Sequence, residues 1–431
     1  MPSKTHPIYP TACGWNAMLP PREARPGLAQ DITVDHAVIG AGYTGLATAR
    51  RLHELDPQAQ IAVLEASAVG EGSSARNSGF TAAEVLPRTA TPKSAAAARG
   101  QSAVMRDAFR WLTDIVSEHG IACDMQKTGA IRAAATAAGE ASLRKVLEVA
   151  RTNDIPHKIL SRGDIQSRIG SDYYRFGLHL SDMYLLQPAA LIRGLADALP
   201  EPVTLYENTA VRRLDRDGGG WIVHTADGVV RARNVVLANN SFIPRLGYLK
   251  LRMATIYTYA AVTRELTSAE RPHLGHSPAW GLLPSHRLGT TLRRIGPNRL
   301  MVRSLYAHDR QIAQDDAVAQ LLARFARRWP GLSHVDFDYV WAGATAFTLN
   351  GAPWWGQLDR GLYASGGCNG SGIAKGTLLG RHLAELMLGV GDPNRIPAVM
   401  GTASLMAPEP FRSIAFHVVS ALERRKAGLE I

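Results

Sequence analysis

The sequence predicts an α/β fold: a nucleotide-binding domain assembled from separated pieces of chain, with a second, sheet-containing domain between them. Three observations carry this. A short apolar run, Val34 and Ala37-Val38-Ile39, meets Gly40-Ala41-Gly42-Tyr43-Thr44-Gly45, then an amphipathic segment, then a second apolar run ending in Glu65. Strand, glycine turn, helix and strand in that order make a Rossmann-like βαβ unit. The pattern changes over 94–186 and again over 248–340, and strand-like runs return between and after those segments. Finally, 431 residues at 46% hydrophobic content can bury more than one core.

The elements follow in order. Residues 1–30 are rich in proline and polar groups, with Pro20-Pro21-Arg22 and Pro26-Gly27, and are expected to form an extended arm without regular structure. Residues 31–93 form the first piece of the nucleotide-binding domain. In it Leu46, Ala49, Arg50 and Leu52 recur at helical spacing until Asp56-Pro57 ends the helix. Ile61-Ala62-Val63-Leu64 follows as a buried strand. In 94–186, Met105, Phe109, Leu112 and Val116 trace one helix face, with Gly120 as its C-cap, and Leu143, Val146, Leu147 and Ala150 trace another. Residues 187–247 return to the nucleotide-binding domain: a helix after Pro188, then strands at 203–206, 221–224 and 234–238. Residues 248–340 join 94–186 in the substrate or cap domain, with alternation at Tyr257, Tyr259 and Ala261 and at Leu300 and Val302. A helix over 318–329 follows, stopped by Pro330. The glycine-rich and then helical stretch 341–390 closes the nucleotide-binding domain. In 391–431, Phe411, Ile414, Val418 and Leu422 share one helix face, followed by Arg424-Arg425-Lys426.

The formal net charge is +11, spread along the chain in short clusters such as Arg293-Arg294 and Arg327-Arg328. None has the interleaved aromatics of an RNA-binding strand, so nucleic acid is not an expected partner. Cys13, Cys123 and Cys368 are scattered, without a C-x-x-C pair, which fits a reducing compartment. The N-terminal residues lack an apolar leader and no run of 18 apolar residues occurs, so a cytoplasmic location is expected. Membrane contact is conceivable only through the last helix, with its apolar face and basic end. No H-E-x-x-H or paired metal spacing accompanies the 14 histidines, and no metal is expected. His53, His119 and His382 fall on helices as surface or packing residues.

The glycine turn gives each residue a task. Gly40 permits the tight turn, Gly42 lets a pyrophosphate approach the backbone, and Gly45 lets helix and strand pack closely. The helix N-terminus offers free N–H groups to phosphate. Glu65, 20 residues after Gly45, is placed to accept from ribose hydroxyls. The competing reading is a structural βαβ turn with a surface glutamate. Shortly after comes Gly72-Ser73-Ser74-Ala75-Arg76-Asn77-Ser78-Gly79-Phe80, whose small residues would let backbone N–H groups face a flat ring or a pyrophosphate.

With these pieces in hand, the chain resembles the D-amino-acid-oxidase-type FAD oxidoreductases, most of all the γ-glutamylputrescine oxidase, glycine oxidase and sarcosine oxidase branch. The matching segments are Leu19-Pro20-Pro21-Arg22, Gly40 to Gly45, Leu64-Glu65-Ala66 and Gly72 to Phe80. Toward the C-terminus they are Trp341-Ala342-Gly343, Thr348 to Gly356, Gly361-Leu362-Tyr363, Gly366 to Gly372, and Gly380 to Leu386. The resemblance implies FAD as cofactor. Gly40, Gly42, Thr44 and Gly45 would hold its pyrophosphate and Glu65 its adenosine ribose. Val211 would meet the adenine, and Ala238, with Asn239 and Asn240, would cover the phosphates. Ser73, Ser74, Arg76, Asn77 and Ser78 would line the flavin, and Gly367, Asn369, Gly370 and Gly372 would lie near its pyrimidine edge. The chain has Asn350 where the family often has Asp. Cys368 lacks the family's covalent attachment context, so the FAD is expected to be noncovalent. Lys375 stands one position from the lysine that holds a substrate carboxylate in sarcosine oxidase relatives, which on a helix turns a side chain by about 100°.

The reaction implied is oxidation of an amine or amino acid: a hydride leaves the C–H next to nitrogen for flavin N5, giving an imine and, with oxygen, hydrogen peroxide. A carboxylate on the substrate would call for Arg293, Arg303 or Lys375. A cationic tail would call for aromatics such as Tyr257, Tyr259, Trp354 or Trp355. Core packing is the competing role for each. Two other functions fit parts of the sequence: a flavin dehydrogenase passing electrons to a quinone or carrier, and a basic nucleotide-binding module acting on tRNA or in a complex.

Overall fold

Two eight-stranded sheets, built by different rules, organise the chain. In a computed structural model, residues 5–87 and 91–431 are described. The first four residues of the expected arm, and residues 88–90 of the first nucleotide-binding piece, lie outside them. In the first sheet the Ile32–Ile39 strand lies between Ile61–Leu64 and Val229–Leu237. Val203–Tyr206 and Leu362–Gly366 extend it on either side, all parallel. Such strands are covered on both faces, and Ala37, Val38, Ile61 to Leu64 and Val235 to Leu237 are accordingly buried. The Tyr43–Leu55 helix packs on this sheet and on the Gly372–Met387 helix, where Thr48 Oγ1 donates to Gly380 O at 3.0 Å.

The second sheet runs in the order Phe337–Phe347, Ala254–Thr263, Arg299–His308, Thr291–Ile295, Gly281–Pro284, Ala130–Ala134, Phe176–Leu180, His157–Ser161. It draws strands from both segments that interrupt the first sheet, and the parallel pairing of Ala130–Ala134 with Gly281–Pro284 joins the two sets. One face packs on the Gln314–Arg328 helix through Tyr259, Leu321, Phe325 and Trp329. The other face floors a large cavity.

Several expectations need correction. The first 30 residues include a short helix, Gly14–Ala17, because Trp15 is fully buried and its Nε1 donates to Asn77 O at 2.8 Å. Four strands in 94–186 have no counterpart in the sequence reading: Ala130–Ala134, His157–Ser161, Phe176–Leu180 and the two-residue Tyr184–Leu185. The strand Phe337–Phe347 runs across the expected boundary at 340/341 and pairs with Ala254–Thr263 through Phe347. Residues 341–347 therefore belong to the second sheet. The predicted helices of that region appear as Pro92–Glu118, Ala137–Thr152 and Gln314–Arg328, close to the periodicities that predicted them, and Arg162–Ile169 is a further helix that was not predicted.

The last helix, Phe411–Ala427, lies across the cavity mouth with an inverted polarity. Phe416, Ser420 and Glu423 turn inward, whereas Phe411, Ile414, Val418 and Leu422 are all more than half exposed. Polar anchors set this orientation. Arg412 Nη1 donates to Lys250 O at 3.1 Å and Met253 O at 3.2 Å. Just past the helix, buried Glu430 Oε1 accepts from Ala135 N at 3.0 Å and from Thr136 N at 2.9 Å. Among the described residues, no helix is long and apolar enough to cross a membrane.

Candidate active site

The site begins at the first glycine turn. Gly40 has φ +102°, a left-handed conformation that favours glycine. A Cβ at Gly45 would collide with Gly40 O, so the helix could not approach its strand with any other residue there. Gly42 is the N-cap of the Tyr43–Leu55 helix and brings no side-chain cap, which leaves first-turn N–H groups toward the cavity. A Cβ at Gly42 would lie 2.7 Å from Ser74 Oγ. Glu65 is held beneath the turn: Oε2 accepts from Ala41 N at 2.8 Å, and Oε1 from Ser67 N at 3.2 Å. Burial pushes its carboxyl pKa up, opposed by those same hydrogen bonds.

These residues border two cavities that share Gly42, Ser73, Ser74, Ala238 and Asn240. The smaller, about 130 Å³, is lined by Gly40, Glu65, Val211 and Asn239, whose Oδ1 is buried without a hydrogen-bond partner. An acceptor carboxylate, an orphaned amide oxygen and a glycine cradle at a helix N-terminus fit the adenosine and pyrophosphate of a dinucleotide. The larger cavity, about 1070 Å³, passes Ser78 and Asn77 to the second sheet. Asn369, at φ +53°, accepts from Thr348 N at 2.9 Å and fixes the loop that delivers Gly370 and Gly372 to the wall. Gly372 opens a helix whose N-cap, Ser371, makes no side-chain cap.

The far half of the larger cavity is basic. Arg132, Arg287, Arg303 and Arg412 line it, with His286 and His308. Arg303 Nη1 donates to Tyr306 Oη at 2.9 Å, and Tyr306 Oη donates to Arg287 O at 2.9 Å. Glu423, from the C-terminal helix, is the one carboxylate among the lining residues and is engaged by Arg287 Nε at 2.9 Å. Burial lowers the pKa of His308, whose ring stacks on Phe416 with centroids 5.0 Å apart.

The structure brings most of the expected residues to these walls: Gly40, Gly42, Thr44, Glu65, Ser73, Ser74, Asn77, Ser78, Val211, Ala238, Asn369, Gly370, Gly372 and Arg303. Others are engaged elsewhere. Gly45 serves the helix–strand contact, and Gly367 gives its N–H to Asn240 Oδ1 at 3.1 Å. Arg76 also borders the cavity, but its guanidinium turns away to Glu71 Oε2 at 2.8 Å, Thr11 O and Ala342 O. Arg293, expected to meet a carboxylate, is 3% exposed, donates to Leu186 O at 2.5 Å and rests on the Trp15 ring. Lys375 Nζ turns to Cys368 O at 3.2 Å. Tyr257 and Tyr259 occupy the core face of their strand, and the alternate residues Ile256 and Thr258 line the cavity. Trp355 Nε1 donates to Leu379 O at 2.9 Å, and Trp354 packs beside the first sheet's core. Sequence reasoning missed Arg132, His286, Tyr306, His308 and Glu423. Arg132 carried a signal, a lone charge amid Ala130-Ile131 and Ala133-Ala134.

Comparison with known proteins adds four findings. The model of the FAD dependent oxidoreductase family, DAO, matches residues 35–386. The chain is 27% identical over 391 residues to the γ-glutamylputrescine oxidoreductase of Escherichia coli (strain K12), covering 86% of this chain and 87% of that protein. It is 25% identical over 398 residues to the probable oxidoreductase OrdL of Rhizobium meliloti (strain 1021), covering 89% and 90%. Among solved structures, glycine oxidase from Geobacillus kaustophilus superposes with a TM-score of 0.72 at 21% identity, covering 86% of this chain and 98% of that one.

Proposed function

This chain belongs to the FAD-dependent oxidoreductase family, and from that premise we propose that it oxidises an amine or amino acid at the C–H bond next to nitrogen. The observation that carries the reading is that the nucleotide turn borders both cavities: Gly42, Ser73 and Ser74 line the smaller one and also the larger chamber, which is floored by a second sheet and walled by cations. When bound, FAD supplies two-electron oxidation, with the hydride passing to flavin N5 and, where oxygen is the acceptor, hydrogen peroxide formed.

The protein's part is binding, orientation and electrostatics. Gly40, Gly42 and Thr44 would hold the pyrophosphate, Glu65 the ribose and Val211 the adenine. Ser74, Asn77 and Ser78 would border the flavin noncovalently. Free N–H groups at the start of the Gly372–Met387 helix favour negative charge near them, which assists reduction of a ring placed there. The C-terminal helix forms part of the chamber wall through Phe416, Ser420 and Glu423 and would limit the entry of water. The cationic walls disfavour a protonated amine, whose free lone pair is needed to expel the hydride.

A second reading rests on the outward apolar face of the last helix, Phe411 to Leu422, followed by Arg424, Arg425 and Lys426. That face suits a dehydrogenase delivering electrons to a quinone at a membrane surface. One experiment addresses the main reading: the FAD-loaded protein is mixed without oxygen with a panel of amines and amino acids. At least one should bleach the flavin, and a panel that leaves the yellow spectrum intact would sink it. Readmitting oxygen and assaying peroxide, against reduction of a soluble quinone, then separates oxidase from dehydrogenase.

A further inference from the structure

The arm that precedes the Ile32–Ile39 strand has a firmly held root and a lightly held tip. At the root, Cys13, Gly14 and Trp15 are buried. Trp15 Nε1 donates to Asn77 O at 2.8 Å. Cys13 N donates to Glu71 Oε2 at 3.0 Å, and Asn16 Nδ2 to Glu71 Oε1 at 2.6 Å. None of residues 5–12 is buried. The tip is held by a few polar contacts that reach both halves of the molecule. Thr5 Oγ1 donates to Val211 O. Gln311 Nε2, just before the Gln314–Arg328 helix, donates to Ile8 O at 2.7 Å. The Tyr9 ring covers the Arg76 guanidinium at 3.8 Å, and its Oη accepts from Ala344 N at 3.1 Å.

This tip is a wall of the smaller cavity. Thr5, His6 and Pro7 line it together with Glu65 and Val211. The remaining lining residues fall within 39–75 and 192–242, on or beside the first sheet, where the strands are buried on both faces. Moving any of those disturbs the sheet. Moving the tip breaks only its few surface contacts, and such a segment opens locally at far lower cost than the whole fold. A dinucleotide lodged across both cavities leaves most readily past the wall that costs least to move.

We propose that residues 5–9 are a strap over the adenosine end of the FAD site, and that the strap must lift before the cofactor leaves. This rests on placing the adenosine in the smaller cavity, and its test needs no substrate. FAD-loaded protein is mixed with excess radiolabelled FAD, and the label taken up by the protein is followed in time. Thr5→Val and Gln311→Ala each remove one hydrogen bond of the strap, and Gln311 lines neither cavity. Each should speed exchange by roughly two- to tenfold, and the double variant by about the product. Hydrogen exchange of the FAD-loaded variants should quicken at the amides of residues 5–9 and stay at the wild-type rate over 13–17, because only the tip opens.

FAD exchange at the wild-type rate in both variants and in their combination would overturn the proposal. So would faster FAD exchange with equally quickened hydrogen exchange over 13–17, since the whole arm would then have come loose. Glu65→Ala separates the strap from the placement it rests on. If that variant loses about tenfold in FAD affinity while the strap variants exchange normally, the placement stands and the strap fails. If Glu65→Ala holds FAD as tightly as wild type, the placement itself fails and the strap with it.

Discussion

At the scale of single residues, the glycine turn is the most demanding part of the site. A Cβ at Gly42 would press on Ser74 Oγ and force that side chain to move, and Gly42 lines both cavities. Gly42→Asp would add bulk and a negative charge where the pyrophosphate is to lie. The purified variant should hold about tenfold less FAD or worse, read as flavin absorbance per protein, while circular dichroism stays native. Wild-type FAD content would show that the phosphates bind elsewhere. This turn was legible because its residues are adjacent and each does a distinct job. Side chains on the second sheet were not. The strand at Tyr257 and Tyr259 was read correctly, but alternation assigns its residues to two faces without saying which face meets the cavity. The sheet answers with Ile256 and Thr258. Arg293 was singled out as a cation, and only the fold shows it spent on Leu186 O.

At the scale of elements, the C-terminal helix shows why local pattern can mislead. Its apolar residues share one face, which ordinarily docks. Here that face points outward, because both ends of the segment are fixed by polar contacts with distant chain. Arg412 is tied to the carbonyls of Lys250 and Met253, and Glu430 caps the Ala137–Thr152 helix through Ala135 N, Thr136 N and Thr136 Oγ. Such partners lie 159 to 295 residues away and leave no trace in a periodicity. Glu430 is therefore predicted to be a stability residue that also holds the cavity's cover. Glu430→Ala strands two backbone N–H groups and should cost about 1–3 kcal/mol. Urea unfolding measures the first effect, and faster proteolytic cleavage between 405 and 431 the second. A variant as stable and protease-resistant as wild type would show that other contacts hold the helix. The strands Ala130–Ala134, His157–Ser161 and Phe176–Leu180 escaped sequence reading for a related reason. They are five residues each and find their partners only in one another and in Gly281–Pro284.

At the scale of the whole molecule, two sheets meet across a chamber whose far walls carry more positive than negative charge, and this predicts a pH dependence. A simple alkylamine in water titrates near 10.4, so at neutral pH nearly all of it is protonated and lacks the lone pair that expels a hydride. Entering the chamber strips water from the ammonium and brings it near Arg132, Arg287, Arg303 and Arg412. Both effects disfavour the charged form and lower its pKa. Two wall groups bear on the sign. Hydrogen bonds and charge from Lys426 and Arg287 hold the Glu423 pKa down, so it stays an anion already paired with cations. His308, its pKa lowered by burial, is neutral at pH 7 and adds no positive charge there. At subsaturating substrate the reactive species is the neutral amine, whose fraction grows tenfold per pH unit below the amine's pKa. The rate of anaerobic flavin reduction should therefore rise from pH 6, approaching about tenfold per unit, and level off as the neutral amine comes to dominate. Deuterium in place of the reacting hydrogen should slow the same step. Stopped-flow absorbance of the flavin measures both. A rate that is flat from pH 6 to 10 or falls as pH rises, with no isotope effect, would mean that no C–H bond beside a neutral amine is broken in the observed step.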